Sequence, residues 1–573
     1  LFLLTAAKPS EFANVPDTVA CRTHRRSFGR LTVASARPKD RCFDGRPAIR
    51  QSFLPALLIL GTAASAATAQ SRGDDWWRHV EILAADDMQG RQTGSPDFDR
   101  AAEYVIGQFR ALGLEPAGTD GFRQPVLLEQ QVVDQEASTA ELASSAGRTR
   151  LTVGDELIVS AGSPRPAMVD APLVFAGYGL HMPEVGHDDF AGLELNGKIL
   201  VVISGGPADI SGALKSHARS ERSRIASERG AVGILTVDTP KALEIPWDRR
   251  RLLGRAPGMY PVDAGVRDVA GAFLGGAFDP ARAELLFARS GHSFADIAAL
   301  ADASKPVPTF ALKQTLKARI ATRRTPVRSY NLLAKLPGAD PALRGETVVL
   351  SAHLDHLGIG APIAGDLIYN GAMDDASGVA ALLEIARKFR TDGARPRRSI
   401  AFAMVTAEEK GLLGSKTLAA RPTPAIGRIV ANLNFDMPLP LWRLRNVIVL
   451  GADESSLGVQ ARAVGAAQGL PLVPDPVPDR NSFTRSDQYS YVRVGVPAVA
   501  FKFGFAAGTP EAAIEKAWRS TRYHSPSDDL GQPVEKEEMV KLNDFVAALA
   551  LRVADAPERP TWNPNSFFRR FAK

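Results

Sequence analysis

RSIAFAMVTAEEKGLLGS, residues 398–415, carries an apolar run from Ile400 to Val405 into two adjacent glutamates, Glu408 and Glu409. The run reads as a buried strand, and the chain on either side of it alternates. ETVVLSAH (346–353), NVIVLG (446–451) and VPAVAFKF (496–503) are further apolar strands. ASGVAALLEIARKF (376–389), SSLGVQARAVGAAQG (455–469) and VEKEEMVKLNDFVAALALRVA (534–554) carry apolar residues at helical spacing. Strand–helix alternation predicts an α/β domain over 313–560, with a mixed, largely parallel sheet flanked by helices.

Upstream the texture changes twice. Residues 74–150 begin with two helical stretches around DDWWRHVEILAAD and FDRAAEYVIGQFRALGL. Residues 151–312 hold short β-rich runs such as PLVFAGYGL, KILVVISGG and AVGILTV, which predict a separate β-rich insertion. The basic stretch KSHARSERSRIASERG (215–230) within it reads as a helix with a solvated, charged face. Residues 561–573 are read as a tail. No repeat, dinucleotide-binding glycine pattern, phosphate loop, nucleophile elbow or HExxH helix is present.

Residues 46–69 have the form of a secretory signal peptide: Arg46 and Arg50, then Phe53–Leu60, then small residues around Ala64–Ala69. The apolar run is too short to span a bilayer, so no stable membrane insertion is expected. Residues 1–45 lack an initiator Met and stand before that signal, which predicts an over-extended leader. Residues 1–69 hold ten Lys/Arg and four Asp/Glu, so the whole-chain charge of +6 falls to zero beyond them. The case for a nucleic-acid partner goes with it. Both cysteines, Cys21 and Cys42, lie there too, which removes disulfides and thiolate ligands from an exported chain. The expected location is periplasmic or extracellular.

In open α/β sheets, ligands gather at the carboxyl ends of strands. Five separated segments place unusual residues there: His353-Leu354-Asp355-His356, Asp374-Asp375, Glu408-Glu409, Asp436 in ANLNFDM and His524 in YHSPSDD. Imidazoles and carboxylates without thiolate suit zinc with an open coordination position. Two ions about 3.5–4 Å apart, sharing a carboxylate, can clamp a hydroxide between them. A further carboxylate then carries the proton from water to the leaving amine.

His353-x-Asp355, GAMDDASG (371–378), EEKGLLGS (408–415), Asn434-x-Asp436 and Tyr523-His524 together resemble the motif series of the M28 zinc aminopeptidases. DMQGR (87–91) resembles that family's N-terminal portion, and residues 151–312 resemble a protease-associated (PA) domain. The resemblance implies a zinc aminopeptidase/phosphorylase-hydrolase-like fold and two zinc ions per chain. It implies His353 and Asp436 on one ion, Glu409 and His524 on the other, and Asp374 bridging. Glu408 is implied as general base and Tyr523 as an oxyanion donor. Asp355, two residues along an extended backbone from His353, is placed to orient that imidazole. His356 matches the motif without being a family ligand, so a structural role is expected. Asp375 stands where relatives have Asn and is expected to cap the following helix. Gln488 stands where many relatives have His.

The implied function is an exported peptidase removing N-terminal residues from peptide or protein substrates. A carboxypeptidase on the same scaffold is the nearest alternative, and it would need cations for a C-terminal carboxylate, for which Arg485, Arg493 and Arg522 are candidates. A single-zinc glutaminyl cyclase and a non-catalytic receptor stand further off, because all five ligands and Glu408 are present. Oligomeric state is not legible.

Overall fold

The computed structural model describes residues 72–572. The leader expected over 1–45 and the signal peptide expected over 46–69 lie outside the described residues. Among the described residues no helix is long and apolar enough to cross a membrane.

Ser399–Val405 is buried at all seven positions, and its period-two alternation explains why. Ile400, Phe402 and Met404 enter one core, while Ala401, Ala403 and Val405 enter a second on the opposite face. A strand covered on both faces must be apolar throughout. Its parallel neighbour Glu346–His353 splits the same way, with Val348 and Leu350 on one side and Val349 on the other. Arg428–Asn434 pairs parallel with that strand, and Ala498–Phe503 pairs parallel with Arg428–Asn434. Val447–Leu450 is antiparallel to Ala498–Phe503. The sheet is therefore mixed and largely parallel, and the carboxyl ends of four parallel strands share one rim. Helices Ser377–Thr391 and Lys536–Asp555 cover the first face, joined by the helix at 72–83 and by Pro96–Ala111.

Beside Ser399–Val405, in the middle of the strand order, stands Phe310–Leu336, 27 residues long. It pairs antiparallel with Ser399–Val405, along most of its length with Arg123–Ser144, and by its first half with Met168–Phe175. Parallel strands Ile199–Ile203, Gly233–Val237 and Leu274–Phe278 continue from there. Gly212–Glu228 crosses between the first two, and this inserted half has its own core around Phe175, Ile203, Leu235 and Phe278. It is an α/β layer continuous with the main sheet. The boundaries expected at 150/151 and 312/313 both fall inside strands, Gly147–Leu151 and Phe310–Leu336.

The charged helix differs from expectation. Lys215, Glu221 and Arg222 within Gly212–Glu228 are each at most 6% exposed, while Arg224 and Glu228 reach solvent, so the helix buries part of its charge. The helix lies between the inserted sheet and the catalytic half: Glu221 meets Arg493, and Ser216 meets Thr484.

Candidate metal centre

The rim collects the expected residues from separate turns. His353 ends its strand, with its Nε2 3.1 Å from Asp374 Oδ1. His524 Nε2 stands 3.3 Å from Asp374 Oδ2 and 3.2 Å from Glu409 Oε2. Asp436 follows the strand Arg428–Asn434, and its carboxylate falls within 4.8 Å of the His353 and Asp374 ligand atoms. Asp374 thus sits between two groups, as a shared carboxylate must. Glu408 lines a cavity with Asp374, Asp436, Tyr523 and His524, whereas Glu409 turns toward His356 and His524. The two adjacent glutamates face different neighbours. Ala407, Met437 and His524 have φ of 56°, 47° and 52°, so left-handed backbone sits at or beside three of these residues. Such strain recurs where a fold over-determines a functional geometry.

The fit to metal shows in unpaired atoms. His353 Nε2, Glu409 Oε1 and Asp436 Oδ1 are buried, and none has a hydrogen-bond partner. His356 Nδ1 lies 2.7 Å from Glu409 Oε1, yet neither atom is hydrogen-bonded. Buried donors and acceptors are normally paired. Ring nitrogens and carboxylate oxygens this close, without hydrogen-bonding angles, are aimed at common points between them. Borderline-soft nitrogen with hard oxygen is a donor set for zinc.

The field agrees. Burial works against the His353 and His524 imidazolium forms. Glu408, Asp374 and Asp375 outweigh it at His353, whose pKa is raised well above its ordinary value. Glu409 and Asp374 do the same at His524, raised to about 10. Burial favours protonated Asp374, but His353, His524 and His356 pull its pKa well down. Burial, then Asp436 and Glu409, push Glu408 well up against the opposing pull of His353. The centre is built to favour cations.

Supporting residues differ in part from the sequence reading. The His353 ring is oriented by the backbone carbonyl of Asp355, 3.0 Å from Nδ1, which leaves Nε2 facing the centre. The Asp355 carboxylate instead accepts from the Glu408 N–H at 3.1 Å and the Thr93 hydroxyl at 2.9 Å. Asp375 accepts from the Gly378 N–H at 3.0 Å, at the start of Ser377–Thr391, and from the Met437 N–H. His356, expected to be structural, stands in a ligand group with Asp374 and Glu409. Gln488 is fully buried and bonds Asn434 and the carbonyls of Ser482 and Phe483.

Two further residues escaped sequence reading. Asp528 accepts from the backbone N–H groups of Met373 and Asp374, fixing the turn that presents Asp374. Arg91 is fully buried and donates to the carbonyls of Leu83, Leu354, Asn370 and Gly371, tying together the loops after His353 and before Asp374. Both lie in segments whose motifs were visible, SPSDD and DMQGR. Their partners are backbone atoms, which leave no mark in sequence.

Known proteins bear on this geometry. A leupeptin-inactivating enzyme from Streptomyces exfoliatus is 31% identical over 212 residues, covering 35% of this chain and 43% of that enzyme. A leucine aminopeptidase from Trichophyton rubrum is 31% identical over 124 residues, 21% of this chain and 32% of its own. The chain thus spans less than half the length of these curated relatives. An aminopeptidase from Aneurinibacillus sp. strain AM-1 matches in fold, with a TM-score of 0.51 at 21% identity over 86% of this chain and 97% of that one. Residues 331–550 match the family model described as Peptidase family M28.

Proposed function

We propose that this chain is a zinc-dependent aminopeptidase, holding two zinc ions, that removes N-terminal residues from peptides. One observation carries the reading: five ligand residues from separate segments converge beside Glu408, and His353, Glu409 and Asp436 among them hold buried atoms with no hydrogen-bond partner. His353 and Asp436 would hold one ion, Glu409 and His524 the other, and Asp374 both. Bound zinc supplies Lewis acidity to a peptide carbonyl and acidity to water. Glu408 takes the proton of the attacking water and passes it to the leaving amine. Burial raises its pKa, which favours uptake of the water's proton. Tyr523 lines the same cavity and offers a phenol to the developing oxyanion.

The choice between the two ends of a peptide rests on charge. Arg480, Arg485, Arg519 and Lys502 line the cavity, but each is already engaged, Lys502 by the backbone carbonyls of Asp436 and Met437. Glu244 holds Arg485 at 3.0 Å, and Glu515 holds Arg480 and Arg519, each at 2.5 Å. What remains beside the centre is carboxylate, which suits a free amine. The names of the aminopeptidase relatives point the same way. Export, from the signal peptide expected over 46–69, and the likeness of residues 151–312 to a PA domain belong to the same proposal.

The test is metal content with turnover. Purified chain should bind two zinc ions. Glu408→Gln should keep both while losing about 10²–10⁴-fold in kcat, the span of general acid–base catalysis. A chain that binds no zinc, or a fully active Glu408→Gln, would overturn the proposal.

A further inference from the structure

The helix Gly212–Glu228 walls a second cavity of about 1180 Å³, which opens at its far side on Tyr523 and His524. That exceeds the roughly 300–1,000 Å³ of small-molecule sites. One wall is the inserted half and the other is the catalytic rim. Among the described lining residues stand eight Lys/Arg against four Asp/Glu.

The four acids are all occupied. Asp238 takes Arg250 and the Ser204 hydroxyl, and Asp302 takes the Thr239 hydroxyl. Glu244 takes Arg485, and Glu515 takes Arg480 and Arg519. Arg222 is left over. Its stem is confined by Gly179, where an added Cβ would come within 3.0 Å of Arg222 Cδ. The residue is 6% exposed, its Nε is buried with no hydrogen-bond partner, and no described carboxylate forms an ion pair with it. Burial, with Arg219 adding to it, lowers its pKa to about 9, so the guanidinium stays charged at neutral pH. A buried, unpaired cation burdens a fold unless something pairs with it. Its planar fork matches a carboxylate.

We propose that Arg222 anchors a carboxylate of the peptide substrate, so that the cavity selects peptides carrying a free C-terminus or an acidic side chain beyond the cleaved bond. This rests on the aminopeptidase reading. The amine end lies at the zinc centre, and the carboxylate lies across the cavity against the inserted helix.

The test uses the full, zinc-loaded chain and three ligands. They are a tetrapeptide of leucine followed by glycines, its C-terminal amide, and that amide with one glycine replaced by glutamate. Hydrolysis is followed with identification of the released residue, and binding is measured by calorimetry on the Glu408→Gln protein. The free acid, the glutamate amide, or both should bind and react about 10- to 100-fold better than the plain amide, as a charged hydrogen bond allows. Which of the two gains identifies the source of the carboxylate. Arg222→Gln should bring these ratios close to one, and Arg222→Lys should keep part of the preference. Equal affinities in the parent chain overturn the proposal, as does an unchanged preference in folded Arg222→Gln. If Arg222→Gln does not fold, the parent ratios and Arg222→Lys decide. Absent hydrolysis, or release of the C-terminal residue, counts against the aminopeptidase reading, while the calorimetry still decides the carboxylate site.

Discussion

Asp528 touches no ligand atom, yet its carboxylate holds the backbone N–H of Asp374 at 3.1 Å and that of Met373 at 3.0 Å. Asp528→Asn replaces an acceptor with an N–H₂ group facing these donors. The turn carrying Asp374 should then shift, and zinc affinity should fall about 10–100-fold, the usual effect of removing an outer support of a metal ligand. Competition with a chelator reads this directly, and unchanged affinity would show that Asp374 is positioned without Asp528. The contrast with His353 marks what was legible at this scale. The proposed ligands could be picked out because imidazole and carboxylate are rare residues to collect at the ends of apolar strands. Asp528, Thr93 and Arg91 could not, because the site residues they hold lie 154 to 280 residues away, mostly as backbone atoms.

The first turn of Ser377–Thr391 sets two effects against each other at Gly378. Propensity alone favours Gly378→Ala by about 1 kcal/mol in a helix. An added Cβ, however, would meet the Asp375 carboxylate at 2.4 Å. That carboxylate is fully buried and pinned by the Gly378 and Met437 N–H groups, so it cannot give way. Overpacking of this kind costs about 1–3 kcal/mol and should win. Gly378→Ala should lower the midpoint of chemical denaturation, and a raised midpoint would show that Asp375 moves freely. Other elements divide by how many faces they bury. Ser399–Val405 and Glu346–His353 were readable because both faces are apolar. Arg123–Ser144 and Phe310–Leu336 mix buried and exposed positions over 22 and 27 residues, so no compact apolar run announces them. Gly212–Glu228 was partly misread because some of its charges are buried by partners from distant segments, Glu221 against Arg493 among them.

Across the whole molecule, the inserted half and the catalytic half meet where His217 of Gly212–Glu228 lies 2.7 Å from the Tyr489 hydroxyl. Its ring packs among Phe567, Phe568 and Phe571. Burial lowers the pKa of His217 to about 4; Glu221 and Glu184 oppose this, while Arg493 and Arg570 reinforce it. An unfolded histidine titrates near 6.5. Between those values the unfolded chain binds a proton that the folded chain refuses, so stability rises with pH there. This contribution is complete above pH 6.5 and is lost as pH falls toward 4, by on the order of 3 kcal/mol. His217→Gln can keep a bond to Tyr489 without titrating. Denaturation midpoints of the parent chain should therefore fall between pH 6.5 and 4 more steeply than those of His217→Gln, with the two converging in slope above pH 7. Parallel slopes across that interval would mean that His217 accepts its proton without leaving the interface, and that the two halves do not hold together through this ring.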